Sequence, residues 1–173
     1  MSTSLHAAYV PAFIGILGNL KGLLDIAAAT GNEAELIGAR LTDDMFPLAR
    51  QIQIAADAAK GAGARMTGSE APVMADDETT FAELKARCDK TIAYLQTIDA
   101  AAFDAGASRE VVITFPNGAG VKFDGLTFLT QFAAPNFYFH ATTTYAILRA
   151  NGVGIGKQNF LGHLAPYMFA QPA

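Results

Sequence analysis

The chain has 173 residues, of which 51% are apolar and 16% charged, with no tryptophan and a formal net charge of −4. At this length one domain, residues 1–173, is expected, able to bury roughly 68–70% of the surface its unfolded form exposes. Its 12 basic residues are scattered rather than clustered, which excludes nucleic acid as a partner. The single cysteine, Cys88, excludes internal disulfides and multi-cysteine metal sites.

Residues 4–29 place Leu5, Tyr9, Phe13, Ile16, Leu17, Leu20, Leu24 and Ala27 at steps of three and four, the stripe of an amphipathic helix. Ser4 is its expected N-cap and Gly31 its stop, with Pro11 bending the second turn. This segment lacks a basic n-region, and the apolar run between His6 and Asn19 is too short for a span, which needs about 20 residues. A cytoplasmic protein with no membrane partner is expected. A helical turn in NEAELIGA follows. The spacing then predicts a second helix from about Asp44 to Lys60, capped by Thr42 or Asp43, with Pro47 tolerated in its first turn.

Residues 61–77, rich in Gly, Ala and Pro, read as a loop. A third helix carries Phe81, Leu84, Cys88, Ile92, Leu95 and Ile98 on one face. Thr79 is followed three residues later by Ala82, so Asp77 is the expected cap and no capping box is expected. REVVITF, PNGAG and VKFDG describe a hairpin over about 109–123 that must lean on the helices. A long fourth helix is expected from Leu126 to Ala150, kinked at Pro135 and ended by Asn151-Gly152. The tail, 153–173, is apolar enough to pack back on the body or on a partner. Together these elements make an all-α four-helix bundle with a small β-hairpin inserted before the last long helix.

The fourth helix is almost uncharged and carries His140, so its inward polar groups need partners. His140 is either a metal ligand or general base in the bundle core, or a core histidine bonded to a neighbouring helix. The second reading is the commoner situation. On the second helix, Gln53 and Asp57 flank the stripe Met45, Leu48, Ala49, Ile52 and Ala56. Asp57 could pair with His140 and fix its tautomer, or belong to a solvated Arg50–Gln53–Asp57 edge. Tyr9 and His6 of the first helix, with Thr144 and Tyr145 near His140 on the last, could line the same cavity. No HExxH, Glu-x-x-His pair or GxSxG occurs, and GVGIGKQNF lacks phosphate-loop spacing. Cys88, on an apolar stripe, fits an inert buried thiol.

RLTDDMFPLARQIQIAADAAK, with PNFYFHATTTYAILRANGVGIGKQNFLG near the end, resembles the bacterial domain-of-unknown-function 1993 family. That family groups with the DinB/YfiT-like four-helix bundles, which are often dimers. Many DinB-like members hold nickel or zinc with three histidines, one from the second helix and two, four residues apart, from the last. The resemblance puts His140 at the first position of that pair and Thr144, a poor ligand, at the second. The second helix offers only Gln53 and Asp57. The resemblance therefore implies no cofactor, or at most a divalent metal on His140, Asp57 and water.

Three functions follow as expectations. The first is a non-catalytic, homodimeric module that binds a small molecule around His140, Asp57, Gln53, Tyr9, Tyr145 and Thr144. The alternative is a degenerate DinB-like metal-dependent enzyme of the thiol-transfer type, using His140 and Asp57. The third is a structural or stress-related interaction protein with no small-molecule site.

Overall fold

The computed structural model describes residues 3–115 and 117–169. Helix α1 (Leu5–Ala28) starts where Ser4 accepts a hydrogen bond from the Ala7 N–H, and it runs unbroken through Pro11. Its length and composition would suffice to cross a membrane. Here the apolar stripe faces other helices instead, with Phe13, Leu17, Leu20, Leu23 and Leu24 fully buried. The short α2 (Glu33–Gly38) confirms the turn expected in NEAELIGA.

Helix α3 (Leu48–Thr67) begins one turn later than Asp44 and ends well beyond Lys60. Its start is displaced because Thr42 and Asp44 close on each other: the Thr42 hydroxyl donates to the Asp44 carboxylate, and the Met45 N–H donates to the Thr42 carbonyl. Neither Thr42 nor Asp43 caps the helix, and Pro47 occupies that position. Its end is extended because Gly61, Ala62, Gly63 and Ala64 are buried packing residues, not turn residues. A Cβ on Gly63 would stand 3.1 Å from Ile98 and 3.2 Å from Tyr94, so the small residue lets the chain after the next helix approach closely. Gly68, at φ +72°, ends α3 in the left-handed conformation.

Helix α4 (Phe81–Gln96) is capped by Thr80, one residue after Thr79. Its hydroxyl accepts from Glu83 N–H while the Glu83 carboxylate accepts from Thr80 N–H, a capping box the sequence spacing at Thr79 had excluded. The sequence reading missed α5 (Ala100–Ala105), which Asp99 caps and which buries Phe103. Strands β1 (Glu110–Thr114) and β2 (Gly120–Asp124) pair antiparallel from Glu110–Asp124 to Thr114–Gly120. This hairpin leans on the body through Phe123, whose ring lies 5.8 Å from that of Phe132.

The expected single fourth helix is composite. A turn α6 (Gly125–Thr127), capped by Asp124, leads into a wide π turn over Phe128–Ala133 and then α7 (Ala134–Ala150). Pro135 falls in the first turn of α7, where its missing N–H leaves little unsatisfied, so the irregularity precedes it. Asn151 and Gly152, at φ +83°, end the helix as expected. The tail packs back on α1 as α8 (Lys157–Phe160) and a 3-10 turn (Gly162–Tyr167). In the bundle, α3 packs against α7 and α4, and α1 packs against the other side of α4 and α7.

Candidate functional site

His140 lies on the buried face of α7 with Phe137, Ala141 and Thr144. Its Nδ1 is 2.6 Å from Oε1 of Gln51, on the facing turn of α3. The amide of Gln51 is itself oriented, because its Nε2 donates to the Phe46 carbonyl at 2.9 Å. The oxygen must therefore face His140, so Nδ1 carries the proton and donates. Nε2 then bears the lone pair and has no hydrogen-bond partner among the described residues. Burial, and after it the positive charge of Arg50, lower the His140 pKa below the ordinary value. The Phe139 ring meets the imidazole edge-on at 5.1 Å. The result is a neutral imidazole with a fixed tautomer, suited to accept a hydrogen bond or a proton.

The other expected site residues divide between this seam and another. Thr144 is fully buried beside His140, but its hydroxyl donates to the His140 carbonyl at 3.0 Å, so it serves the helix backbone. Tyr145 packs on Phe160, ring centroids 6.0 Å apart, and Tyr9 packs on Phe13 at 6.2 Å. Gln53 and Asp57 face α4. Gln53 accepts from Arg50 at 3.1 Å and donates to Glu78 at 2.9 Å. Asp57 takes Arg87 at 2.8 Å and Lys60 at 2.9 Å. The tautomer of His140 is therefore set by Gln51 and not by Asp57, which lies six residues further along α3, about 9 Å up the axis and on another face.

At the centre of this second seam is Arg87, only 2% exposed, which also meets Asp76 and Glu78, each at 2.9 Å. Burial opposes its charge, but the Glu78 hydrogen bond and the Asp57 carboxylate outweigh that and raise its pKa. Burial likewise tends to raise the Asp76 pKa, yet the hydrogen bond and charge of Arg50, helped by Arg87, hold it below the ordinary carboxylate value. A cleft of about 410 Å³ opens beside this network, lined by Met74, Glu78, Arg87 and Lys90 among others. Asp57 also lines a smaller cleft of about 170 Å³ with Arg65, Phe128 and Asn136. His140 lines neither.

Sequence reading missed Gln51 and Arg87, although each left a signal. Gln51 stands three residues after Leu48 and four before Ala55, within the buried stripe, not beside it. Arg87 stands three after Leu84 and four before Thr91, a lone cation on an apolar face. Cys88 beside it is buried, as expected, its pKa pushed up to about 12 by burial and, after it, by Asp89.

A family model for a domain of unknown function, DUF1993, matches residues 5–161. The chain belongs to the DUF1993 family. A DinB family member from Shewanella denitrificans, known from a crystal structure at 1.83 Å resolution, is 39% identical to this DUF1993 chain. The likeness covers 97% of this chain and 96% of that one, with a TM-score of 0.83. The fold is thus DinB-like as well as mostly helical. No curated protein sequence matches it.

The three-histidine metal of many DinB-like bundles does not fit this DUF1993 chain. The donors that meet at the α3–α7 seam are one imidazole, one amide already bonded to it, and one hydroxyl committed to the backbone. Amide and hydroxyl oxygens are weak partners for zinc or nickel. Among the described residues no group of three or more His, Cys, Asp or Glu side chains is placed to hold a metal ion.

Proposed function

We propose that this chain is a non-catalytic small-molecule-binding module whose polar anchor is His140. One observation carries the reading: the Phe46 carbonyl, the Gln51 amide and His140 Nδ1 form a chain of hydrogen bonds that leaves Nε2 as an oriented acceptor. Gln51 is the ring's one partner, and because the Phe46 carbonyl fixes the Gln51 amide, which nitrogen of His140 keeps the lone pair is decided. The partner it suits is a hydroxyl or N–H donor on an apolar body, since Phe139 lies against the imidazole and Phe46, which supplies the carbonyl, is itself exposed. Self-association as a homodimer belongs to the same reading, supported by the exposed aromatic side chains Phe46 and Phe139.

Phenol is a suitable probe, with one donor on a small apolar ring. Phenol should raise the melting temperature of the native chain in a saturable way, and a His140→Ala variant should stay folded and lose that rise. An unfolded variant, or a native chain indifferent to phenol, would make His140 structural. Sedimentation velocity should find a dimer that dissociates when Phe46 and Phe139 are replaced by serine.

A further inference from the structure

The start of α1, the end of α4 and the C-terminal 3-10 turn enclose a groove of about 750 Å³. Small-molecule sites typically measure roughly 300–1,000 Å³ and combine apolar walls with a few fixed polar groups. The walls here are mostly apolar, with Ala8, Pro11 and Ile14 from α1, Leu95 and Ile98 from the α4 end, and Leu164 from the tail.

One polar group in the groove is held from two sides. His163 lies directly against the α1 backbone at Gly15, where any Cβ would come within 2.9 Å of its ring carbons Cγ and Cδ2. Asn19 then fixes the chemistry of the ring. Its Nδ2 donates to the Phe160 carbonyl at 2.7 Å and lies 2.6 Å from His163 Nδ1. With one amide hydrogen on each acceptor, Nδ1 must hold the lone pair, and the proton of the uncharged imidazole sits on Nε2. This Nε2–H has no partner among the described residues. It is the mirror of His140: there the fixed ring offers an acceptor, here it offers a donor.

The charge of the ligand follows from the other wall. His6 also lines the groove, its ring edge-on to Phe103 at 5.8 Å, and its backbone N–H is bonded to the Asp104 carboxylate at 2.8 Å. That carboxylate does not line the groove, and no Asp, Glu, Lys or Arg among the described residues does, so nothing in the walls would compensate a charge on the ligand. We propose that the groove binds an uncharged, apolar carbonyl compound, its body against Pro11 and Ile98 and its carbonyl oxygen accepting from His163 Nε2–H. This site shares no residue with the one at His140, so the two proposals stand independently.

Benzophenone and diphenylmethane share a body and differ in the acceptor, which makes them matched probes for calorimetry and nitrogen-15 NMR on the full chain. Benzophenone should bind saturably and about tenfold more tightly than diphenylmethane, the worth of one uncharged hydrogen bond. The His163 Nε2–H resonance should move with the same curve. His163→Phe should bind the two compounds equally. Ala8→Trp, at an exposed position that leaves the core untouched, should lose both. Equal affinities in the native chain, no saturable binding, or benzophenone binding unaffected by Ala8→Trp would each overturn the proposal. So would a native dimer that Ala8→Trp turns into a monomer, which would assign the groove to a second copy of the chain.

Discussion

Two polar seams leave α3 on different sides, and they solve the same problem by different means. Toward α7, Gln51 meets His140 through uncharged groups in single file. Toward α4, Arg87 gathers Asp57, Asp76 and Glu78 around a buried cation. The uncharged file costs little to desolvate and leaves one atom, His140 Nε2, available. The charged seam gives each carboxylate a cation, because a buried charge without its partner is far more costly than a buried amide, and its one unpartnered buried atom among the described residues is a donor, Arg87 Nε. Burial alone therefore does not mark a site; the α3–α7 seam is the candidate because it is left with an open acceptor.

The sharpest way to break this contrast is Arg87→Ala, which leaves Glu78, a nearly buried carboxylate, without its cation and with only the Gln53 amide as a partner. It should lower unfolding free energy by about 3–5 kcal/mol in urea titrations. Gln51→Leu, which leaves the His140 Nδ1–H and the Phe46 carbonyl unpaired, should cost less, about 1–3 kcal/mol. If the two losses were equal, the distinction between charged and uncharged seams would fail.

Acid should act on the uncharged seam through His140. Its folded-state pKa lies below the ordinary 6.5, so the unfolded chain takes up the proton first as pH falls. The corresponding stability is complete above pH 6.5 and is lost as pH falls through that value toward the folded pKa. Thermal melts between those limits should fall with pH in the native chain and more shallowly in His140→Gln. The smallest effect belongs to Asp57→Asn, about 1 kcal/mol or less, because the Asp57 side chain is 37% exposed, an amide oxygen in its place can still accept from Lys60, and Arg87 keeps Glu78 and Asp76. A larger loss would make Asp57 the pivot of the charged seam in place of Arg87.

The bundle itself was legible in the sequence wherever apolar spacing and local capping agreed. Ser4 and the stripe from Leu5 to Ala27 gave α1 nearly to the residue, and the two β-like runs gave the hairpin. Helix α3 was misjudged at both ends for one reason: residue types that usually mark turns were used for other purposes. Gly61 and Gly63 serve close packing, and Asp44 folds onto Thr42. The candidate site was half legible. His140 stood out as the polar group of an uncharged helix, but its partner was sought among ionisable residues, where a tautomer is usually fixed, and the structure uses an amide. Which of Gln51, Gln53 and Asp57 faces α7 depends on the rotation of α3, and that is set by packing along its whole length.

The wide turn at Phe128–Ala133 has a consequence for how this chain tolerates change in length. A π turn holds one residue more than the α turn it replaces, and one residue turns a helix face by about 100°. The stripe before it and the stripe after it are therefore out of phase, and His140 reaches Gln51 only because the extra residue re-aims α7. Removing one residue there, Thr130 for example, would let the segment close into regular helix without shortening either flank's own run of hydrogen bonds. The cost would fall on direction: either Phe128 or His140 would have to turn away from its present neighbours.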